Sequence, residues 1–167
     1  DSVTLILSHK PGSKIDNNWT RYRIVANAQI ADETALRVAN GGDYLKVISL
    51  MPQPDIKVYI KTPKVRLAPG GEAKVTLAIE RQNGFKGRVL FRLQDLPFGV
   101  RPVNVGLNGI MIAENETERT FTLDSRPWVK PVTKPFYAIG QVEALVQTEH
   151  PSVPITLEIA GTERASK

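Results

Sequence analysis

Apolar and polar positions alternate one by one along much of this chain. Ala73, Val75, Leu77 and Ile79 alternate with Lys74, Thr76, Ala78 and Glu80, and further on Val89, Phe91 and Leu93 alternate with Leu90, Arg92 and Gln94. A period of two sends one set of side chains to a buried face and the other to water, which is the signature of half-buried strands. Between these runs lies Gln82-Asn83-Gly84-Phe85-Lys86-Gly87. Asn-Gly accepts the positive φ angles of a tight reversal, so the pattern predicts a β-hairpin over Ala73–Leu93 with Phe85 at its tip.

The same reading continues on both sides. Strands are predicted over residues 2–8, over Arg21–Ile30 with Tyr22, Ile24, Ala26, Ala28 and Ile30 on one face, and over Ala35–Val38 and Tyr44–Met51. Downstream they are predicted over Ile56–Ile60, Val65–Leu67, Arg101–Val105 (irregular), Ile110–Ile112, Arg119–Leu123, Phe136–Val146 and Ile155–Ile159. In Phe136–Val146 the apolar positions shift from odd (Tyr137, Ile139) to even (Val142, Ala144, Val146), which predicts a β-bulge at Gly140-Gln141. Asp124–Pro135, with three prolines around Trp128 and Val129, reads as a long ordered loop.

No helical period appears, and turn signals recur about every eight to twelve residues, so the fold class is all-β. The strands after Pro54 suit an immunoglobulin-like β-sandwich, although the Cys and Trp spacing of antibody domains is missing. Pro52 and Pro54 make a stiff connection and the best boundary. The expected organisation is a smaller β segment at 1–53, either a small four-stranded unit or part of a truncated preceding module, the immunoglobulin-like β-sandwich at 54–161, and a frayed tail at 162–167.

Composition narrows the function classes. Of 167 residues, 41% are hydrophobic and 23% charged, as in an ordinary globular chain. The net charge is +5, but the cations are dispersed and aromatics are only 7%, so no nucleic acid partner is expected. There is no cysteine, which excludes disulfides, thiolate metal sites and a cysteine nucleophile. No stretch approaches the roughly 18 apolar residues of a membrane span. The opening Asp1-Ser2-Val3 has no basic region followed by an apolar run, so the sequence reads as a mature or trimmed fragment of a longer polypeptide.

Catalytic chemistry finds little footing. The two histidines, His9 and His150, both read as solvated loop residues far apart in sequence, and no GxSxG, P-loop or HExxH motif occurs. No catalytic, cofactor or metal site is therefore expected. Glu114, Glu116 and Glu118 cluster in a polar turn and read as a solvated acidic loop rather than a carboxylate pair. Asp16-Asn17-Asn18 and Asn40-Gly41-Gly42-Asp43 offer loop oxygens to calcium without EF-hand spacing. Asn18-Trp19-Thr20 and Asn115-Glu116-Thr117 match the glycosylation triplet, a pattern short enough to arise by chance. The candidate ligand contacts are Trp19, Trp128 and Phe85, with Tyr59 and Phe98 behind them. For the tryptophans, packing under a loop outweighs sugar stacking, while Phe85 is open between folding back and joining an exposed patch.

Three motifs carry a resemblance. Pro69-Gly70-Gly71, Arg81-Gln82-Asn83-Gly84-Phe85-Lys86-Gly87 and Leu96-Pro97-Phe98-Gly99-Val100 resemble the immunoglobulin-like repeats of large exported bacterial proteins. Gly42–Val47 resembles the closing strand of β-modules that often precede such repeats, including those attached to secreted peptidases. The resemblance implies a non-catalytic structural or interaction module, secreted, periplasmic or at the cell surface. Its implied partners are neighbouring domains of the parent chain or another protein. A carbohydrate-binding module with a glycan on an exposed tryptophan is the competing expectation.

Overall fold

The computed structural model describes residues 4–6, 24–38, 53–143 and 147–161. Among them are twelve strands and no helix, so the protein is all-β. The chain divides into two compact units, Leu7–Pro52, and Gln53–Lys167 together with Asp1–Ile6.

In the smaller unit, β1 (Val25–Ile30) and β2 (Glu33–Val38) form an antiparallel hairpin with Ile30 opposite Glu33. The turn is only Ala31-Asp32, and Ala31 takes a positive φ of 52° to close it. Every residue of β1 is exposed, so its alternation marks no buried face among the described residues. The strand predicted at Tyr44–Met51 lies outside those residues. Of the strand predicted at 2–8, residues 4–6 are described and are not in a strand.

The larger unit is built from β3 (Ile56–Ile60), β4 (Lys64–Leu67), β5 (Glu72–Arg81), β6 (Val89–Gln94), β7 (Val100–Val103), β8 (Ile110–Ile112), β9 (Glu118–Ser125), β10 (Val132–Val142), β11 (Thr148–Pro151) and β12 (Ile155–Ile159). One sheet has the order β3-β5-β9-β7 and the other β4-β12-β10-β6-β8, with β11 also paired to β10. The inward sets from both sheets meet in one core, Val75, Leu77, Ile79, Phe121 and Leu123 from the first against Val65, Phe91, Phe136, Ile155 and Leu157 from the second. Burying each such side chain contributes about 1.5–3 kcal/mol.

This arrangement corrects the predicted hairpin. β5 pairs with β3 and β9, whereas β6 pairs with β8 and β10, so the two strands face each other across the core. The reversal itself is present, with positive φ at Asn83 (52°) and Gly84 (74°), but it is a corner between sheets. Arg81 holds that corner: its guanidinium donates to the carbonyls of Gly87, Glu116 and Ala113.

The bulge expected at Gly140-Gln141 is also absent. β10 pairs with β6 without interruption from Tyr137 opposite Gln94 to Val142 opposite Val89. Phe136, Ala138, Gly140 and Val142 all point inward, and the large apolar Tyr137 and Ile139 sit on the outer face. Position 140 is tightly enclosed, since a Cβ there would come within 3.1 Å of Ile56 Cδ1 and 3.1 Å of Phe91 Cε1. The irregularity lies one strand over. β12 and β11 share the same flank of β10, but Phe136 faces Ile155 while Ile139 faces Pro151, which leaves an extra residue between them. Buried Ser152 fills the break, donating its N–H to the Ala138 carbonyl (2.8 Å) and accepting the Ala138 N–H on Oγ (3.1 Å). His150 accordingly lies in β11 and not in a loop, and Pro135 lies inside β10.

Between β3 and β4 the chain changes sheets over Lys61-Thr62-Pro63. β4 then runs parallel to β12, with Lys64 opposite Thr156 and Leu67 opposite Ile159. Glu158 is shared by Lys64 (2.6 Å) and Arg66 (3.2 Å) across this pair.

Candidate functional site

Two β-turns sit back to back at the Glu72 end of β5. In the first, Pro97-Phe98-Gly99-Val100, the Val100 N–H donates to the Pro97 carbonyl (3.0 Å) and Gly99 takes a φ of 89°. Glycine in that position after a free first corner residue is the signature of a type II turn, and it lifts Phe98 to the tip. In the second, Arg126-Pro127-Trp128-Val129, the Val129 N–H donates to the Arg126 carbonyl (3.1 Å). The Arg126 N–H donates to the Gly99 carbonyl (2.9 Å) and stitches the two turns together.

The residues beneath anchor this corner. Ser125 is buried; its Oγ donates to the Ala68 carbonyl (2.7 Å) and accepts the Gly70 N–H (3.1 Å). Val129 inserts into the core, so the turn is anchored from both ends. A Cβ on Gly99 would lie 2.6 Å from Trp128 Cη2, which shows how closely the indole lies against that backbone.

The outcome is an aromatic ridge. Phe98 is 89% exposed and Trp128 58% exposed, with ring centroids 5.3 Å apart and planes tilted by 39°. Such a tilted contact is within the preferred range for aromatic pairs. The expectation that Trp128 packs under a loop is therefore corrected: Val129 takes the buried place and Trp128 stands out beside Phe98. Sequence had left Phe98 in the background; its signal was the Pro-Phe-Gly order, which puts residue 98 at a turn tip.

Phe85 goes the other way. It packs against the core from the far end of β5, and its ring lies over Gly87, where a Cβ would be 2.9 Å away. Trp19, His9 and both calcium-candidate loops lie outside the described residues. Tyr59 is exposed on β3 and donates its hydroxyl to Glu80 Oε2 (2.6 Å), which raises the phenol's pKa and lowers that of Glu80.

Among the described residues, the ionisable groups named above form no reactive constellation. His150 faces inward beside Gly140, with Nε2 2.9 Å from Thr148 Oγ1, and burial lowers its pKa. Glu116 accepts the Ala113 N–H (3.1 Å), Glu118 pairs with Lys61, and Glu114 is exposed. Among the described residues no three His, Cys, Asp or Glu side chains gather in a way that could hold a metal ion. No helix there is long and apolar enough to cross a membrane.

No protein-family model matches this sequence, and no curated protein matches it. Solved structures similar to it include domains 4 and 5 of the S-layer protein SbsC, at 16% identity and a TM-score of 0.38. That match covers 76% of this chain and 65% of the other. A second structure, domains 1–6 of the surface layer protein SbsC, matches at 14% identity and a TM-score of 0.39, over 84% of this chain and 17% of the other. Backbone overlap at that level assigns no role.

Proposed function

We propose that this chain is a non-catalytic structural module of a larger exported bacterial protein, placed outside the cytoplasm, whose immunoglobulin-like unit spaces its neighbours. The observation that carries the reading is where the sandwich strands begin, at β3, and end, at β12, the short segment Asp1–Ile6 of the same unit lying ahead of them in sequence. Ile56, the first residue of β3, lies against Gly140 near one end of β10. Ile159, the last of β12, pairs with Val132 at the other end. The eight residue steps from Val132 to Gly140 separate the start of β3 from the end of β12 by about 27 Å at 3.3–3.4 Å per residue. A module with its ends at opposite poles works in line as a spacer.

Two further features support it. The strand order β3-β5-β9-β7 opposite β12-β10-β6 corresponds to the ABED and GFC sheets of an immunoglobulin sandwich. Charged side chains bridge the sheet surface: Arg92 on β6 reaches Glu149 on β11 across β10 at 2.8 Å, Arg88 and Glu143 pair at 2.7 Å just beyond β6 and β10, and Lys64 and Arg66 share Glu158 between β4 and β12. These groups are engaged in cross-strand contacts.

The chain has no cysteine, so two can be introduced for spin labels. Labels at Asp55→Cys and Gly161→Cys should give one narrow distance distribution, unchanged when neighbouring domains of the parent are present. A broad or bimodal distribution would remove the spacer reading. Labelling of intact cells with a membrane-impermeant reagent tests the location, and labelling only after lysis would contradict it.

A second reading, a carbohydrate-binding module, is favoured by one observation, the exposure of Trp128 beside Phe98. A glycan array with Trp128→Ala as control tests it; a tryptophan-dependent signal is the expected result.

A further inference from the structure

The ridge carries charge as well as π surface. Arg126 opens the Trp128 turn and Lys130 follows it, and both are exposed. Among the described residues neither has a carboxylate within ion-pair distance. The nearest acid along the chain, Asp124, is taken by Arg101 at 3.5 Å. Along the chain, the exposed Trp128 is thus flanked by two cations that have no ion-pair partner among the described residues.

We infer that this ridge binds an acidic polysaccharide whose sugars carry carboxylates. A pyranose ring presents a face of C–H groups with slight positive charge, which suits the negative face of an indole or phenyl ring. A uronate carboxylate on that sugar reaches the flank, where a guanidinium fork matches it with paired charge-assisted hydrogen bonds and an ammonium adds a point charge. Arg126 and Lys130 supply that pair at positions −2 and +2 from Trp128. The stitched turns and the closely packed Gly99 hold the rings before the ligand arrives, so little ordering cost falls on binding.

Size and charge favour a glycan over other partners. A stable protein interface covers roughly 800 Å² per partner, and two aromatic side chains supply only part of that. A single-stranded nucleic acid would also stack on the rings, but it needs a cationic groove that tracks its backbone, and here two cations flank one point. The inference rests on the carbohydrate-binding reading, and it adds the charge of the sugar and the cations that select it.

Calorimetric titration of the full chain tests it, with polygalacturonate, neutral dextran and poly-glutamate as ligands at low and moderate salt. Polygalacturonate should bind, more weakly as salt rises. Phe98→Ala or Trp128→Ala should weaken binding at least tenfold, and the double variant Arg126→Gln/Lys130→Gln, which removes only exposed side chains, should do the same. Melting curves establish that each variant is folded, and the double variant decides if Trp128→Ala is not. Equal binding of dextran and polygalacturonate, unaffected in the double variant, would overturn the inference while leaving the carbohydrate reading in place. Absence of binding to either polysaccharide would overturn both. Tighter binding of poly-glutamate would instead assign the ridge to an acidic peptide.

Discussion

The Arg81 guanidinium Nη2 donates to the carbonyl of Ala113 at 2.6 Å, joining residues 32 apart in sequence. The same side chain reaches Gly87 and Glu116, so one cation ties the β5–β6 corner to the β8–β9 loop. Hydrogen bonds from a charged donor contribute about 1.5–3 kcal/mol each. Lysine keeps the charge but lacks the planar fork. Arg81→Lys should therefore destabilise the larger unit by about 2–3 kcal/mol, read as a lower urea midpoint at unchanged m-value. A midpoint equal to wild type would show that the fork is dispensable.

Gly140 tests the packing between the sheets. A methyl group there meets Ile56, Phe91 and Val58 at 3.1, 3.1 and 3.3 Å. Overpacking of this kind costs about 1–3 kcal/mol. Gly140→Ala should lower stability by that amount, and Gly140→Val by more, in thermal melts.

These two residues also show what could be read in advance. Alternation in β5 and β6 revealed which side chains go inward, because the hydrophobic effect acts on each strand separately. It could not reveal which strand is the partner. A short turn with Asn83-Gly84 serves a hairpin and an inter-sheet corner equally well; β9 wins the edge of β5, and Arg81 fixes the corner through carbonyls far away in sequence. The bulge was placed in the wrong strand because Tyr137 and Ile139 are large and apolar yet lie on the outer face, while the inward positions beside them are Ala138 and Gly140. The ridge was half visible. Trp128 drew attention as a large apolar residue, but only the fold shows that Val129 is the one that enters the core.

His150 makes stability depend on pH. Burial holds its pKa below the ordinary 6.5, and the weaker pull of Asp55 acts the other way. The folded state therefore disfavours the cation. Stability from this group is present above pH 6.5 and declines as pH falls below it, levelling off beneath the folded pKa. Carboxylates with lowered pKa, Asp95, Glu149 and Glu158 among them, add stability above their usual values near 4 that is lost on further acidification. Urea midpoints measured between pH 7.5 and pH 5 should fall with acid, and His150→Gln should flatten that slope. The same slope in the variant would assign the dependence elsewhere.

The parallel pairing of β4 with β12 makes resistance to force depend on direction. Tension between Gln53 and Gly161 draws the two strands past each other and loads all their hydrogen bonds together. Attachment at Pro63 and Pro154, which precede the two strands at one pole, separates them bond by bond. Single-molecule pulling through introduced cysteines should give a several-fold higher rupture force in the first geometry. Equal forces would place the mechanical resistance outside this pair.

Ser152 has a consequence for how the molecule tolerates change. Since β11 and β12 are fastened to β10 on either side of it, each half keeps its own alignment. Residues added or removed between Val142 and Thr148 should therefore leave Phe136 opposite Ile155, whose pairing lies on the far side of Ser152. The seam acts as an expansion joint, giving the sandwich a place where length can vary without rearranging its interior.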